Sequence, residues 1–389
     1  MLDNNSIIGV IGSGTMGRGI AQIAATEGHK VVLYDVNEEA IASTKASLNK
    51  ILNRLVEKER ISEDKMNDIL GNIQFTNKLD DAKDCNLVVE AIVENLDIKK
   101  KVFIELEKLT ADGTILASNT SSLSIASIAG ALQNPENFLG IHFFNPAPLM
   151  PLVEIIPSFI TSEEVTKSSR KLIDDWKKVT VIAKDTPGFI VNRVARPFYG
   201  EAMRIYEEGI ADIPTIDWAM KEIGGFRMGP FELTDYIGHD VNYKVTETVF
   251  EQFYYDPRFK PALCQKRLVE AGFYGRKSGR GFYDYRDGTV NPEPNKDEKL
   301  GKQIFERILA MLINEAADAV HMNVATADDV ELAMTKGVNY PKGLLHWADE
   351  LGIDYVVNIL EGLQENYGED RYRTNFLLNK MNKNNSKFY

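Results

Sequence analysis

The sequence predicts an α/β fold, a doubly wound sheet followed by two tandem all-α domains. Three observations predict it. Short apolar runs rich in Val and Ile alternate with helical patterns up to about residue 185, as parallel strands joined by crossover helices do. From about residue 186 helical patterns dominate. Those patterns repeat once, without gaps, at an offset of 114. The expected domains are 1–185, 186–290 and 296–389.

The chain has 389 residues, 44% hydrophobic and 26% charged. That is an ordinary globular composition, and it excludes disorder and collagen-like repeats. Lys plus Arg number 45 against 57 Asp plus Glu, a net charge of −12. A nucleic-acid protein would carry a basic footprint, so no such partner is expected. The two cysteines, Cys85 and Cys264, are too few for a disulfide framework or a Cys-x-x-Cys zinc site. No metal is expected, and a reducing cytoplasmic location is. The segment Met1-Leu2-Asp3-Asn4-Asn5 lacks the basic and apolar regions of a signal peptide. No run approaches the ~20 apolar residues of a membrane span.

The first strand is Ile7 to Ile11, followed at once by Gly12-Ser13-Gly14-Thr15-Met16-Gly17 and a helical pattern that Gly28 ends. Val31 to Tyr34 form a second strand with Asp35 at its carboxyl end. Strand, GxGxxG, helix, strand and acid together form a dinucleotide site of Rossmann type. Gly12 permits the tight turn, Gly14 lets the backbone approach a pyrophosphate, and Gly17 lets helix and strand pack closely. Met16 lies in the same turn and is assigned to the cofactor site. The helix N-terminus offers N–H groups to phosphate. The Asp35 carboxylate suits both hydroxyls of an adenine ribose and would repel a 2′-phosphate. No Arg follows in Val36-Asn37-Glu38, so the expected cofactor is NAD.

Residues 38–72 carry Lys45, Lys50, Arg54, Lys58 and Arg60 at helical spacings. They form either a solvated face or a surface for ligand phosphates. Further strands are expected at Asn86–Ala91, Thr114–Ser118, Phe138–Phe144 and Leu152–Ile156. Helices follow over Val191–Glu208 and Thr215–Glu222, and the polar Asn291–Asp297 reads as a linker. In the repeat, Arg193 falls on Arg307, Glu201-Ala202 on Glu315-Ala316 and Ala219-Met220 on Ala333-Met334. Gly229, Asp235, Gly238 and Asp240 fall on Gly343, Asp349, Gly352 and Asp354. Two copies are too few for a solenoid, but they can pack about a pseudo-two-fold axis. Asn192 faces Glu306 and Glu232 faces His346, so the second copy reads as structural. The chain is expected to be a monomer with an intramolecular pseudo-dimer of helical domains, or an oligomer assembled through another surface.

Of five histidines, His142 sits at a probable strand end, where open α/β sheets bind ligands. Glu154 lies inside an otherwise apolar strand, where a carboxylate is costly unless paired. Pairing the two holds one imidazole nitrogen and leaves the other to move a proton; a purely structural contact is the alternative. The Ser118-Asn119-Thr120-Ser121-Ser122 run suits either a substrate oxygen or a helix cap. Asn192 is a polar residue near a helix start.

At this point the chain resembles the NAD-dependent L-3-hydroxyacyl-CoA dehydrogenases, over Ile7 to about Tyr285 and in the duplicated helical region. The motifs are GSGTMGRG at 12–19, VVEAIVEN at 88–95, SNTSSL at 118–123 and GIHFFNP at 140–146. LVEII at 152–156, DTPGFIVNR at 185–193, GPFELTD at 229–235 and GRKSGRGFY at 275–283 complete the set. The resemblance implies His142 as general base, Glu154 as its orienting partner, and Ser121 and Asn192 as substrate contacts. It also implies NAD contacts at Asp35, Glu94, Lys99, Asn145 and Lys277, with an acyl-CoA substrate. The basic arm after Asp35 resembles the family's CoA-binding helices. Two other readings share the layout. One is a β-hydroxyacid dehydrogenase acting on a free acid through a catalytic Lys. The other is a non-catalytic, crystallin-like protein.

Overall fold

The computed structural model describes residues 2–389. They divide into a first compact unit ending at Thr186 and a second, Pro187–Tyr389.

The first unit is built on one eight-stranded sheet: β1 (Ile8–Ile11), β2 (Val31–Tyr34), β3 (Ile73–Thr76), β4 (Leu87–Glu90), β5 (Ile115–Ser118), β6 (Phe138–Phe143), β7 (Leu152–Pro157) and β8 (Val179–Ile182). Their spatial order is β3-β2-β1-β4-β5-β6-β7-β8. Every neighbouring pair is parallel except β6–β7. The central strands are buried throughout, and so read as continuous apolar runs. Edge strands β3 and β8 are additions to the expected set. Their polar Gln74, Thr76 and Thr180 break the apolar pattern.

Six helices join these strands: α1 (Thr15–Thr26), α2 (Glu38–Glu57), α3 (Glu63–Gly71), α4 (Leu96–Leu109), α5 (Ile125–Ala129) and α6 (Glu163–Asp175). The segment after Asp35 is thus two helices, capped by Asn37 and Ser62. Thr44, Leu48 and Leu52 form the buried face of α2. Lys45, Lys50 and Arg54 are exposed.

The second unit contains α7 (Val191–Val194), α8 (Arg196–Glu207), α9 (Ile213–Trp218), α10 (Pro230–Ile237), α11 (His239–Gln252), α12 (Leu263–Glu270), α13 (Glu298–His321), α14 (Ala327–Leu332), α15 (Leu344–Leu351), α16 (Ile353–Tyr367) and α17 (Phe376–Asn384). The helix expected over 191–208 breaks at Ala195, just before Pro197, which cannot donate to the preceding turn. That expected from Thr215 passes into a wider turn at Ala219–Ile223. The same wider turn recurs at Ala333–Gly337, and the bounds of α9 and α10 recur as α14 and α15. Residues 291–297 are pinned at two points, by Asn291 to Asp284 and by the Asn295 amide to Thr215 Oγ1.

Buried charges cross between the two repeats reciprocally. Arg193 Nε donates to Glu315 Oε1 at 2.7 Å, and Arg307 Nε donates to Glu201 Oε1 at 2.7 Å. Arg258 adds bonds to Glu315 and Asp318, and Tyr372 Oη donates to Glu201. Residue i bonding j′ while i′ bonds j is the signature of a two-fold interface. Burial works to raise the Glu201 pKa, but Arg204, Arg307 and Arg371 outweigh it and hold the carboxyl below its ordinary range. Removing one member of such a buried set strands the others. Arg307→Met should therefore destabilise the chain by about 3 kcal/mol, read as a lowered urea midpoint at pH 7.

Candidate active site

The sheet's one antiparallel junction builds the central pair. In the β6–β7 register His142 lies directly opposite Glu154. Opposed residues of an antiparallel pair project to the same face. His142 Nδ1 meets Glu154 Oε2 at 2.7 Å, with the residues 6% and 0% exposed. The hydrogen bond at Nδ1 fixes the ring and directs proton exchange to Nε2. The ring of Phe144 lies 4.5 Å from the imidazole, centroid to centroid. Asn119, just past β5, accepts the Phe143 amide at 2.9 Å and ties the end of β6 to its neighbour.

The glycine turn between β1 and α1 has the geometry a pyrophosphate needs. Gly12 adopts φ +101°, and a Cβ on Gly17 would lie 1.8 Å from the Gly12 carbonyl. Gly14 is the N-cap of α1, makes no side-chain cap and faces open space. The first-turn N–H groups of α1 are therefore presented to whatever sits over Gly14. Met16 is partly buried against the core on the inner side of the same turn. Asp35 Oδ2 accepts Ser13 N and Oγ, each at 2.8 Å, and Oδ1 accepts Asn37 N. Burial works to raise its pKa, but these bonds from Ser13 and Asn37 outweigh it and keep the carboxyl low. An ionised acceptor beside an open helix N-terminus fits NAD.

A second charged chain supports the serine-rich loop after β5. Glu90, buried at the end of β4, accepts Lys99 Nζ at 2.6 Å, Ile92 N at 2.7 Å and Ser118 Oγ at 2.7 Å. Lys99 is only 1% exposed and also pairs with Glu94 at 3.2 Å. Glu94 accepts the Thr120 hydroxyl, the Ser121 amide and the Ser122 hydroxyl. Lys99, implied by the resemblance as an NAD contact, has its ammonium enclosed between two carboxylates. Glu90 is a support of this loop that sequence reasoning misses, while Ser118 and Thr120, read as substrate contacts or a helix cap, bond Glu90 and Glu94. An acid inside the apolar run Asn86–Ala91 is the available signal. Asn145 is exposed just beyond β6.

Asn192 and Lys277 belong to the second unit. Asn192 is in α7 and half-buried. Lys277 is exposed on the loop 275–285 and pairs with Asp240 at 2.5 Å. That loop is held by Asp235, which accepts Phe282 N, Tyr283 N, Tyr285 Oη and His239 Nε2.

Lys99→Met would leave the buried Glu90 without a counter-charge, at a cost of about 3–5 kcal/mol at pH 7. Urea unfolding measures it. Burial tends to raise the Glu94 pKa, but Lys99 and the loop donors outweigh it and hold the value low. Its stabilising contribution is thus fully present above the unfolded pKa of about 4.3 and is lost as pH falls through the lower folded value. The Glu94 share of the gap between wild type and variant should accordingly begin to shrink below about pH 4.

Comparison with known proteins agrees with this geometry. The model of the 3-hydroxyacyl-CoA dehydrogenase NAD binding domain matches residues 7–186, and that of the C-terminal domain matches 188–285 and 304–387. The 3-hydroxyadipyl-CoA dehydrogenase of Escherichia coli K12 is 36% identical over 97% of this chain and 98% of its own. The mitochondrial hydroxyacyl-coenzyme A dehydrogenase of Sus scrofa is 43% identical over 71% of this chain and 90% of its own. The crystal structure of an Escherichia coli K12 3-hydroxybutyryl-CoA dehydrogenase superposes with a TM-score of 0.92 at 36% identity, covering 98% of this chain and 99% of that one. The chain belongs to the 3-hydroxyacyl-CoA dehydrogenase family, NAD-dependent oxidoreductases that interconvert 3-hydroxyacyl-CoA and 3-oxoacyl-CoA.

Proposed function

We propose that the chain oxidises short 3-hydroxyacyl thioesters of coenzyme A, and reduces the 3-oxo forms, by a His–Glu mechanism. The observation that carries the mechanism is the 2.7 Å bond from His142 to a fully buried carboxylate. His142 takes the C3 hydroxyl proton at Nε2 during oxidation and returns it during reduction. Glu154 holds the ring and stabilises the imidazolium that forms. NAD, when bound, accepts the hydride that C3 releases as its carbinol becomes a carbonyl. General base catalysis of this kind contributes about 10²–10⁴-fold.

Ser121, on the loop held by Glu94, and Asn192 contact the substrate oxygen in this reading. Gly12, Gly14, Met16, Gly17 and Asp35 hold the adenine side of the dinucleotide, with Glu94, Asn145 and Lys277 as further contacts. Lys99, held beside Glu94, is a further contact of the dinucleotide in this reading. The names of the relatives, 3-hydroxybutyryl and 3-hydroxyadipyl, support a short acyl chain. The antiparallel His–Glu pair supports this chemistry over a lysine-based free-acid dehydrogenase. Reciprocal Arg–Glu pairs and two matches of one C-terminal domain model support three domains, 1–185, 186–290 and 296–389. The last is a degenerate copy standing where a partner subunit would, within a monomer. No helix of the described residues is long and apolar enough to cross a membrane, and both cysteines are free thiols, which suits the cytoplasm.

Oxidation of NADH with 3-oxoacyl-CoA substrates of increasing chain length tests this directly. His142→Gln should lower kcat by about 10³-fold while NADH still binds; Glu154→Gln should lose about 10²-fold with unchanged cofactor affinity. Near-normal rates in either variant would remove that residue's role. Asp35→Asn should weaken NADH by about 1–2 kcal/mol and narrow the preference over NADPH, measured by nicotinamide fluorescence titration.

A further inference from the structure

Residues 144–151 connect β6 to β7 and therefore join His142 to Glu154. This connection packs against two other parts of the first unit. A Cβ on Gly19 of α1 would come within 3.0 Å of Ala147 Cβ and 3.1 Å of Pro148 Cδ. Within the connection, Pro146 O accepts the amides of Leu149 at 2.9 Å and Met150 at 3.0 Å. Lys178, the residue before β8, spans it from beneath. Its ammonium donates to Ala147 O at 2.7 Å and to Met150 O at 2.8 Å.

Lys178 has no carboxylate partner among the described residues. It borders a cavity of about 290 Å³ walled by Ile23, Leu52, Leu55, Ile61 and Trp176. The cavity's other charged groups, Glu27 and Lys177, pair with each other at 2.8 Å. Burial alone pulls the Lys178 pKa down to about 8. A half-buried ammonium with no counter-ion is expensive to keep, and here both its hydrogen bonds go to the turn between the two reacting strands.

We propose that Lys178 is a positioning residue for the reaction: by tying Ala147 O to Met150 O it holds the β6–β7 turn, and so sets the imidazole of His142, and Asn145 beside it, in working geometry. The proposal rests on the His142–Glu154 reading. Small errors in such geometry cost rate rather than ground-state binding.

Lys178→Met keeps the stem and removes the donors. Its kcat should fall about 10²-fold, with KM and the NADH dissociation constant within about threefold of wild type, and Lys178→Arg should restore at least about a third of the rate. A purely structural lysine would lower Tm but leave kcat per folded site unchanged, and that result overturns the proposal. His142→Gln is measured alongside. A fully active Lys178→Met beside an inactive His142→Gln overturns Lys178 alone, whereas an active His142→Gln overturns both readings. If Lys178→Met does not fold, hydrogen exchange on the wild-type chain without ligand decides. The Leu149 and Met150 amides should be as protected as those of β6, and fast exchange there overturns the proposal.

Discussion

A single reversal of strand direction builds the proposed active site. Six strands run parallel, and β7 then returns beside β6. In an antiparallel pair directly opposed residues have Cβ atoms about 4.5–5.5 Å apart, close enough to exchange side-chain contacts. Opposing His142 to Glu154 in this register makes their hydrogen bond a product of the backbone. A slip of one residue would turn one side chain to the opposite face of the sheet. The apolar neighbours Ile141, Phe143, Val153 and Ile155 are all buried and forbid that slip. Core packing and catalytic geometry are thus the same constraint.

The same physical signal exposes one acid and hides another. Glu154 stands out because a carboxylate inside an apolar strand demands a partner, and a histidine twelve residues away can supply it. Glu90 occupies the matching place in β4 and is equally buried. Its partners are Lys99, on the helix that follows, and Ser118, at the end of the next strand. Lys99 is nine residues on but lies in a helix rich in lysines, and Ser118 is twenty-eight residues on, so the sequence shows the demand without singling out its answer. The glycine turn and Asp35 are legible because they act locally. The edge strands β3 and β8 are not, because pairing on one side relaxes the need for apolar residues. The break at Ala195 follows from Pro197, a local cue inside a long helical pattern.

The chain Glu90–Lys99–Glu94 gives Lys99 a structural task. An ammonium between two carboxylates links them and transmits order from one to the other. Glu90 anchors it to the sheet, and Glu94 passes that anchorage to Thr120, Ser121 and Ser122. The loop carrying Ser121 is thus tied through Glu94 and Lys99 to β4.

The two helical repeats show which parts of this architecture serve folding and which serve chemistry. Asp217 accepts the amides of Phe231 and Glu232, and Glu331 accepts those of Leu345 and His346. Gly229 and Gly343 each leave no room for a Cβ beside that acid. Asp235 holds Phe282 and Tyr283 by their amides, and Asp349 holds Phe388 and Tyr389 in the same way. These clamps recur because each starts a helix or docks a strand-like segment, which both copies need. A lysine stands five residues ahead of the Phe-Tyr pair in both copies, Lys277 in the first and Lys383 in the second, and Lys277 is held by Asp240. Asp354 has the equivalent place in α16, and among the described residues no lysine pairs with it. Features kept in both copies are explained by the fold, and the Lys277–Asp240 pair is a feature of the first copy.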